Sequence, residues 1–238
     1  MALGTITMRF LIFVFISIIS SSCIFQRTLT SDKLVQRNFT TEEIIELEKI
    51  HDLVFDQICP NSKGNKRYSQ CWDNYSKYAL PLVGEQASKN EPFIIPDLSL
   101  EKTYDFFNSL DSIKLNLIWE NSEDIFRTGM KGKDEPWDTI QYFSVDRNSK
   151  YMMFIYKLKD SQNELYSAFV KKKHAPYIYV NRIEDESALG YHPEYRLLNQ
   201  MLGYPEFFDA TDPKIRLMMA ISIITIQYHQ NQQRLKIE

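Results

Sequence analysis

Hydrophobic positions change their spacing several times along the chain, and each change marks an element. Thr40-Thr41-Glu42-Glu43 has capping-box spacing, with Glu43 placed to reach back to the capping Thr40. Behind it Ile44, Leu47, Ile50 or His51, Val54 and Ile58 recur at helical intervals, which predicts a helix to about Ile58 with one buried face. Cys59-Pro60 ends it, because a residue preceding proline avoids the helical conformation. Tyr68 to Leu80 predicts a second, short helix, and Pro81 to Pro96 an irregular crossing. Leu98 to Leu110 predicts a further helix with Tyr104, Phe107 and Leu110 as its apolar stripe.

The period then falls to two. Ile113, Leu115, Leu117 and Trp119 alternate with Lys114, Asn116, Ile118 and Glu120, the pattern of a half-buried strand. Residues 121–137 are polar and hold Gly129, Gly132 and Pro136, a long connection of the kind that carries function. Thr139–Val145, Tyr151–Lys159, Glu164–Lys172 and Tyr177–Ile183 are rich in aromatic and β-branched residues and read as strands. In the second of these Met152, Phe154, Tyr156 and Leu158 share the face expected to meet the core. The joints between them are too short for helical crossovers, which predicts hairpins. His192-Pro193-Glu194 opens a short helix through Leu202, and Thr211-Asp212-Pro213 is a strong start for a last helix to about Gln233. Its middle, Leu217–Ile226, is apolar nearly all round, which predicts a central buried helix packed on the sheet. The fold class expected is therefore α+β: an antiparallel meander of four to five strands packed against helices, including a buried C-terminal helix.

The leader changes where this fold is placed. Arg9 precedes an apolar run from Phe10 to Ile19, followed by Ser20-Ser21-Ser22-Cys23. At about 1.5 Å per residue that run reaches only about 15 Å as a helix. A hydrocarbon core is about 30 Å thick, so the segment reads as a signal peptide over residues 1–22. Small residues before a cysteine resemble a bacterial lipoprotein signal. The resemblance implies diacylglycerol on the Cys23 thiol and a further acyl chain on the new amino terminus. Several chains anchor stably where one is marginal. Ordinary cleavage near Ser22, leaving a soluble secreted protein, and an uncleaved anchor are the rival readings. The organisation expected is a signal peptide (1–22), a lipidated tether (23–39) and a single α+β domain (40–238).

Cysteine usage fits export. With Cys23 lipidated, Cys59 and Cys71 remain as a pair that an oxidising compartment would join, pinning residues 40–80. The net charge of −3 gives no basic face for nucleic acid, so the partners expected are the membrane, through the N-terminal lipid, and a protein or other surface ligand. Hydrophobic residues make up 44% of the chain, which is ample for a folded core.

The chemistry is sparse. No two of His51, His174, His192 and His229 stand at ligand spacing, and no metal or cofactor is expected. Nucleophile-elbow, HExxH and P-loop motifs do not occur. Carboxylates cluster at Glu120/Glu123/Asp124, Asp134/Glu135/Asp138 and Glu184/Asp185/Glu186, and paired carboxylates can hydrolyse glycosides. The candidate binding group is Trp119, Trp137, Tyr191, His192 and Glu194, aromatic and polar residues near the sheet. The function expected is an exported, lipid-anchored envelope protein acting as a non-catalytic binding or inhibitory module, for instance an antagonist of a toxin. The alternative is an exported hydrolase using loop carboxylates or His192.

Overall fold

Residues 28–60, 65–88, 95–127, 137–146, 148–160, 201–203, 205 and 210–237 are described by the computed structural model of the chain. Five regular elements come first. After a 3-10 turn at Leu29–Ser31 they are α1 (Lys33–Asn38), α2 (Thr41–Ile58), α3 (Asn65–Ser88), α4 (Leu100–Asn108) and α5 (Ser112–Leu115). The strands β1 (Trp119–Arg127) and β2 (Trp137–Val145), then α6 (Lys150–Asp160) and α7 (Pro213–Ile237), follow among the described residues.

Local chemistry explains most helix starts. The Thr40 hydroxyl accepts from Glu43 N, and Glu43 accepts from Thr40 N in return, so the capping box at the head of α2 is formed in full. The face of α2 that it launches buries Ile44, Leu47, Ile50, His51, Val54, Phe55 and Ile58. Asp32 caps α1, accepting from Leu34 N at 2.8 Å and Val35 N at 3.1 Å. Ser99 caps α4 and Asp111 caps α5.

α7 is the centre of the molecule. It packs against α2, β2 and α4. From Leu217 to Tyr228 every residue is buried. Such a helix cannot leave polar groups open, and most of its polar side chains are bonded. Ser222 Oγ donates to Met218 O and Thr225 Oγ1 to Ile221 O, while Gln227 Oε1 accepts from Ile95 N. Where α7 begins, Lys214 Nζ lies 2.6 Å from Asp32 and 3.1 Å from Asp212, tying the start of the last helix to the cap of the first. Burial alone would push the Lys214 ammonium down, but Asp212 and Asp32 outweigh it and hold it above the ordinary lysine value.

The expected meander is corrected. The described chain is mostly helical, with one two-stranded antiparallel sheet, β1–β2. Residues 151–159, read as a strand, lie in α6. The Ser149 hydroxyl accepts from Met152 N at 3.1 Å, as a helix cap does. Residues 113–117, also read as strand, begin as a one-turn helix because the Asp111 carboxylate accepts from Lys114 N, and Ile113 is left 84% exposed. Much of the segment read as a long loop is strand: β1 runs to Arg127 and β2 starts at Trp137. The expected strands Glu164–Lys172 and Tyr177–Ile183 lie outside the described residues.

Two further expectations change. α3 does not stop at Leu80 but runs to Ser88 through Pro81. Pro81 is exposed, so the carbonyl its ring leaves unbonded can face water. Ala79 and Val83, one helical turn apart, are fully buried and carry the helix past it. Residues 28–39, read as part of a tether, are packed: Leu29, Val35 and Phe39 belong to the core, and the Phe39 ring meets Phe154 edge-on at 5.1 Å. Each such side chain contributes about 1.5–3 kcal/mol on burial, which a free leash would forgo.

Candidate functional site

Two places gather the residues that could carry function: the β1–β2 hairpin and a polar centre between α2 and α7. The hairpin pairs Trp119 with Val145 at its base and Arg127 with Trp137 at its far end. A lone two-stranded ribbon is marginal in water, so something must hold it. Its base is held by aromatic packing. Phe143 stacks on Phe107 at 5.1 Å and on Tyr228 at 5.2 Å, and Tyr142 lies on His229 at 4.2 Å. Successive residues of a strand point to opposite faces, so the core grips both sides of β2.

Trp119 is part of that grip and is withdrawn from the candidate binding group. It is 1% exposed, its ring meets Phe107 at 5.0 Å, and its Nε1 donates to Thr225 Oγ1 at 2.8 Å. Trp137 sits at the other end of the ribbon, eight residue steps or about 27 Å along the strand, so the two tryptophans cannot form one site. Tyr191, His192 and Glu194 lie outside the described residues. Beyond the base, Glu120, Asn121, Glu123, Thr139 and Gln141 are exposed, and Gln141 Nε2 donates to Glu123 Oε1 across the strands. Glu120 and Glu123 are an odd number of residues apart in a strand, so they point to opposite faces and do not form a catalytic pair.

Sequence reading missed the polar centre. Arg216, 2% exposed, donates through Nε to His51 Nε2 at 2.9 Å and through Nη1 to Ala210 O and Thr211 O at 2.7 and 3.1 Å. Its guanidinium lies 4.4 Å from the Tyr68 ring centroid. His51 Nδ1 donates to Asp52 Oδ1 at 2.7 Å, and the ring stacks on Phe55. Accepting at Nε2 and donating at Nδ1 makes His51 a neutral imidazole of defined tautomer. Burial pushes its pKa below the ordinary value against the pull of Asp52, and Arg216 adds to the drop. With both nitrogens committed, His51 has no lone pair to offer a substrate proton, and the cluster works as a brace between helices. The signal was legible in principle: one arginine, Arg216, beside an otherwise apolar helical stretch needs a buried acceptor.

The other reserved chemistry is also structural. Cys59 and Cys71 form a disulfide joining the end of α2 to α3. Tyr75 donates to Pro96 O at 2.6 Å, and burial pushes its hydroxyl above the ordinary tyrosine value. Trp72 Nε1, Ser76 Oγ and Gln227 Nε2 are buried with no hydrogen-bond partner among the described residues. Among those residues no three His, Cys, Asp or Glu side chains gather as a metal ion would need, and no helix is long and apolar enough to cross a membrane. Comparison with family models, curated proteins and solved structures finds no match.

Proposed function

We propose that the chain is an exported, lipid-anchored envelope protein that binds a protein or surface ligand without catalysis, and that the outer part of the β1–β2 hairpin is the element it presents. The observation that carries the export reading is the Cys59–Cys71 disulfide, set at the edge of the core with Cys59 buried. Such bonds persist in oxidising compartments, the destination that the leader ending at Cys23 implies. The hairpin supports the binding reading because its base is clamped by Trp119 and Phe143 while Thr139 and Gln141 stay exposed. A rigid base with a solvent-facing arm presents side chains at low ordering cost.

Two experiments test the two halves. A clickable fatty acid fed to cells labels the wild type and not Cys23→Ala; equal labelling removes the anchor. A photo-cross-linking residue placed at Thr139 or Gln141 of the intact protein captures a discrete partner, whereas one at Lys77, exposed on α3, does not. Equal capture at both places removes the hairpin as the binding element.

A further inference from the structure

The bond between Arg216 and His51 joins two elements far apart in sequence, the middle of α2 and the first turns of α7. It exists only while His51 Nε2 keeps its lone pair. A proton at Nε2 turns that atom into a donor facing the Arg216 Nε–H at 2.9 Å. It also puts an imidazolium beside a guanidinium in a buried site. Two further bonds of Arg216 among the described residues, to Ala210 O and Thr211 O, stay within its own stretch of chain and survive that proton.

We propose that His51 is an acid-sensitive latch: neutral, it holds the start of α7 to α2, and protonated, it releases residues 210–216 from α2.

Among the described residues, four charged or titratable groups face the ring. On α2 they are Asp52, in direct contact, and Asp56; on α3, Tyr68; on α7, Arg216. Asp52 favours the proton but is largely exposed, so water and salt weaken its pull. Arg216 opposes the proton from a buried position, and the stack on Phe55 offers no compensating charge. Burial and Arg216 together hold the ring below the ordinary histidine value, so it is neutral at neutral pH and takes a proton only under more acid conditions than a free histidine.

The test uses the full-length protein. Hydrogen–deuterium exchange, corrected for intrinsic rate, is followed from pH 8 to pH 4.5 beside NMR titration of the His51 ring. Peptides from α2 and from residues 210–220 exchange faster as pH falls through about 6.5. The gain is about tenfold for each unit by which the folded-state midpoint lies below the ordinary histidine value. His51→Gln keeps an acceptor for Arg216 without a titrating group and loses the acid step. An acid step of the same size in His51→Gln overturns the latch. So does a wild-type ring that titrates at or above its ordinary value, or one that titrates low with no change in exchange. The last two readouts need only the wild type and stand if the variant does not fold.

Discussion

Removing the Cys59–Cys71 bridge by paired Cys→Ala substitution isolates how far the helical half depends on a covalent tie. The cysteines are 12 residues apart, so the bond closes a loop of about 13 residues. Chain entropy for a loop of that size comes to about 10 cal/mol/K, or about 3 kcal/mol at 25 °C. Cys59 is buried against the core and Cys71 packs on it, so losing two sulfur atoms removes a further contact worth about 1 kcal/mol. At about 2–4 °C per kcal/mol for a chain of this size, the midpoint should fall by roughly 8–16 °C. The assay is thermal unfolding of oxidised wild type, reduced wild type and the double variant. Both treatments open the same loop, so reduced wild type should melt close to the variant, within the contribution of the missing sulfur atoms. A double variant melting within about 2 °C of oxidised wild type would refute the reasoning. It would mean either that the unfolded chain is already compact around this loop or that the isolated protein carries free thiols, which alkylation and mass spectrometry would reveal.

Three other substitutions test separate contacts. Asp32 is pushed up by burial, but Lys214 and the Val35 and Leu34 amides outweigh that and lower its pKa. Its contribution is therefore full above about pH 4 and is lost as pH falls through the lowered folded-state value. Urea midpoints of Asp32→Asn and wild type should accordingly differ at pH 7, and the gap should shrink as pH falls below about 4; a gap that does not change with pH rules out the ion pair as the cause. Trp119→Phe keeps an aromatic ring but drops the bond to Thr225, and should cost about 1–3 kcal/mol by urea unfolding, a neutral result showing the hairpin base to be held elsewhere. Ser76→Ala deletes a buried hydroxyl without a described partner, and should be neutral or stabilising by up to about 1 kcal/mol; a loss above 1 kcal/mol would reveal a bond to that oxygen.

What the sequence made legible was mostly local. The capping box at Thr40 and Glu43, the apolar face behind it and the Asp212-Pro213 start are signals contained within a few residues, and they place α2 and the beginning of α7. The Cys59–Cys71 pair was legible from parity, together with the export that the leader leads one to expect. What failed depended on partners distant in sequence. Pro81 reads as a stop unless Ala79 and Val83, on either side of it, are known to be buried. The stretch before Thr40 reads as a leash unless Leu29 and Val35 are known to dock on the core. The lone Arg216 calls for a buried acceptor, but nothing near it in sequence says that the acceptor is His51.

The strand expected over Tyr151–Lys159 has the widest consequences, because those residues lie in α6. Alternation of Met152, Phe154, Tyr156 and Leu158 satisfies a strand, but the residues buried are Tyr151, Met152, Phe154, Ile155 and Leu158. Their spacing of one, two, one and three residues is one side of a helix, and Met153, placed between core residues, is left 51% exposed. Short apolar segments fit both periods, and here the Ser149 cap and the ion pair of Lys150 with Glu43 support the helix. A meander would have supported β2 from its neighbours and left Trp119 free on a sheet surface. Once α6 is a helix, β1 and β2 form a two-stranded ribbon among the described residues, and such a ribbon cannot stand unaided. It must lean on α4 and α7, and Trp119, Tyr142 and Phe143 are the side chains that reach them. The loss of Trp119 as a binding residue thus follows from the change in fold. The same reasoning moves the search for a ligand away from the aromatic base and out along the ribbon toward Gln141, Thr139 and Trp137.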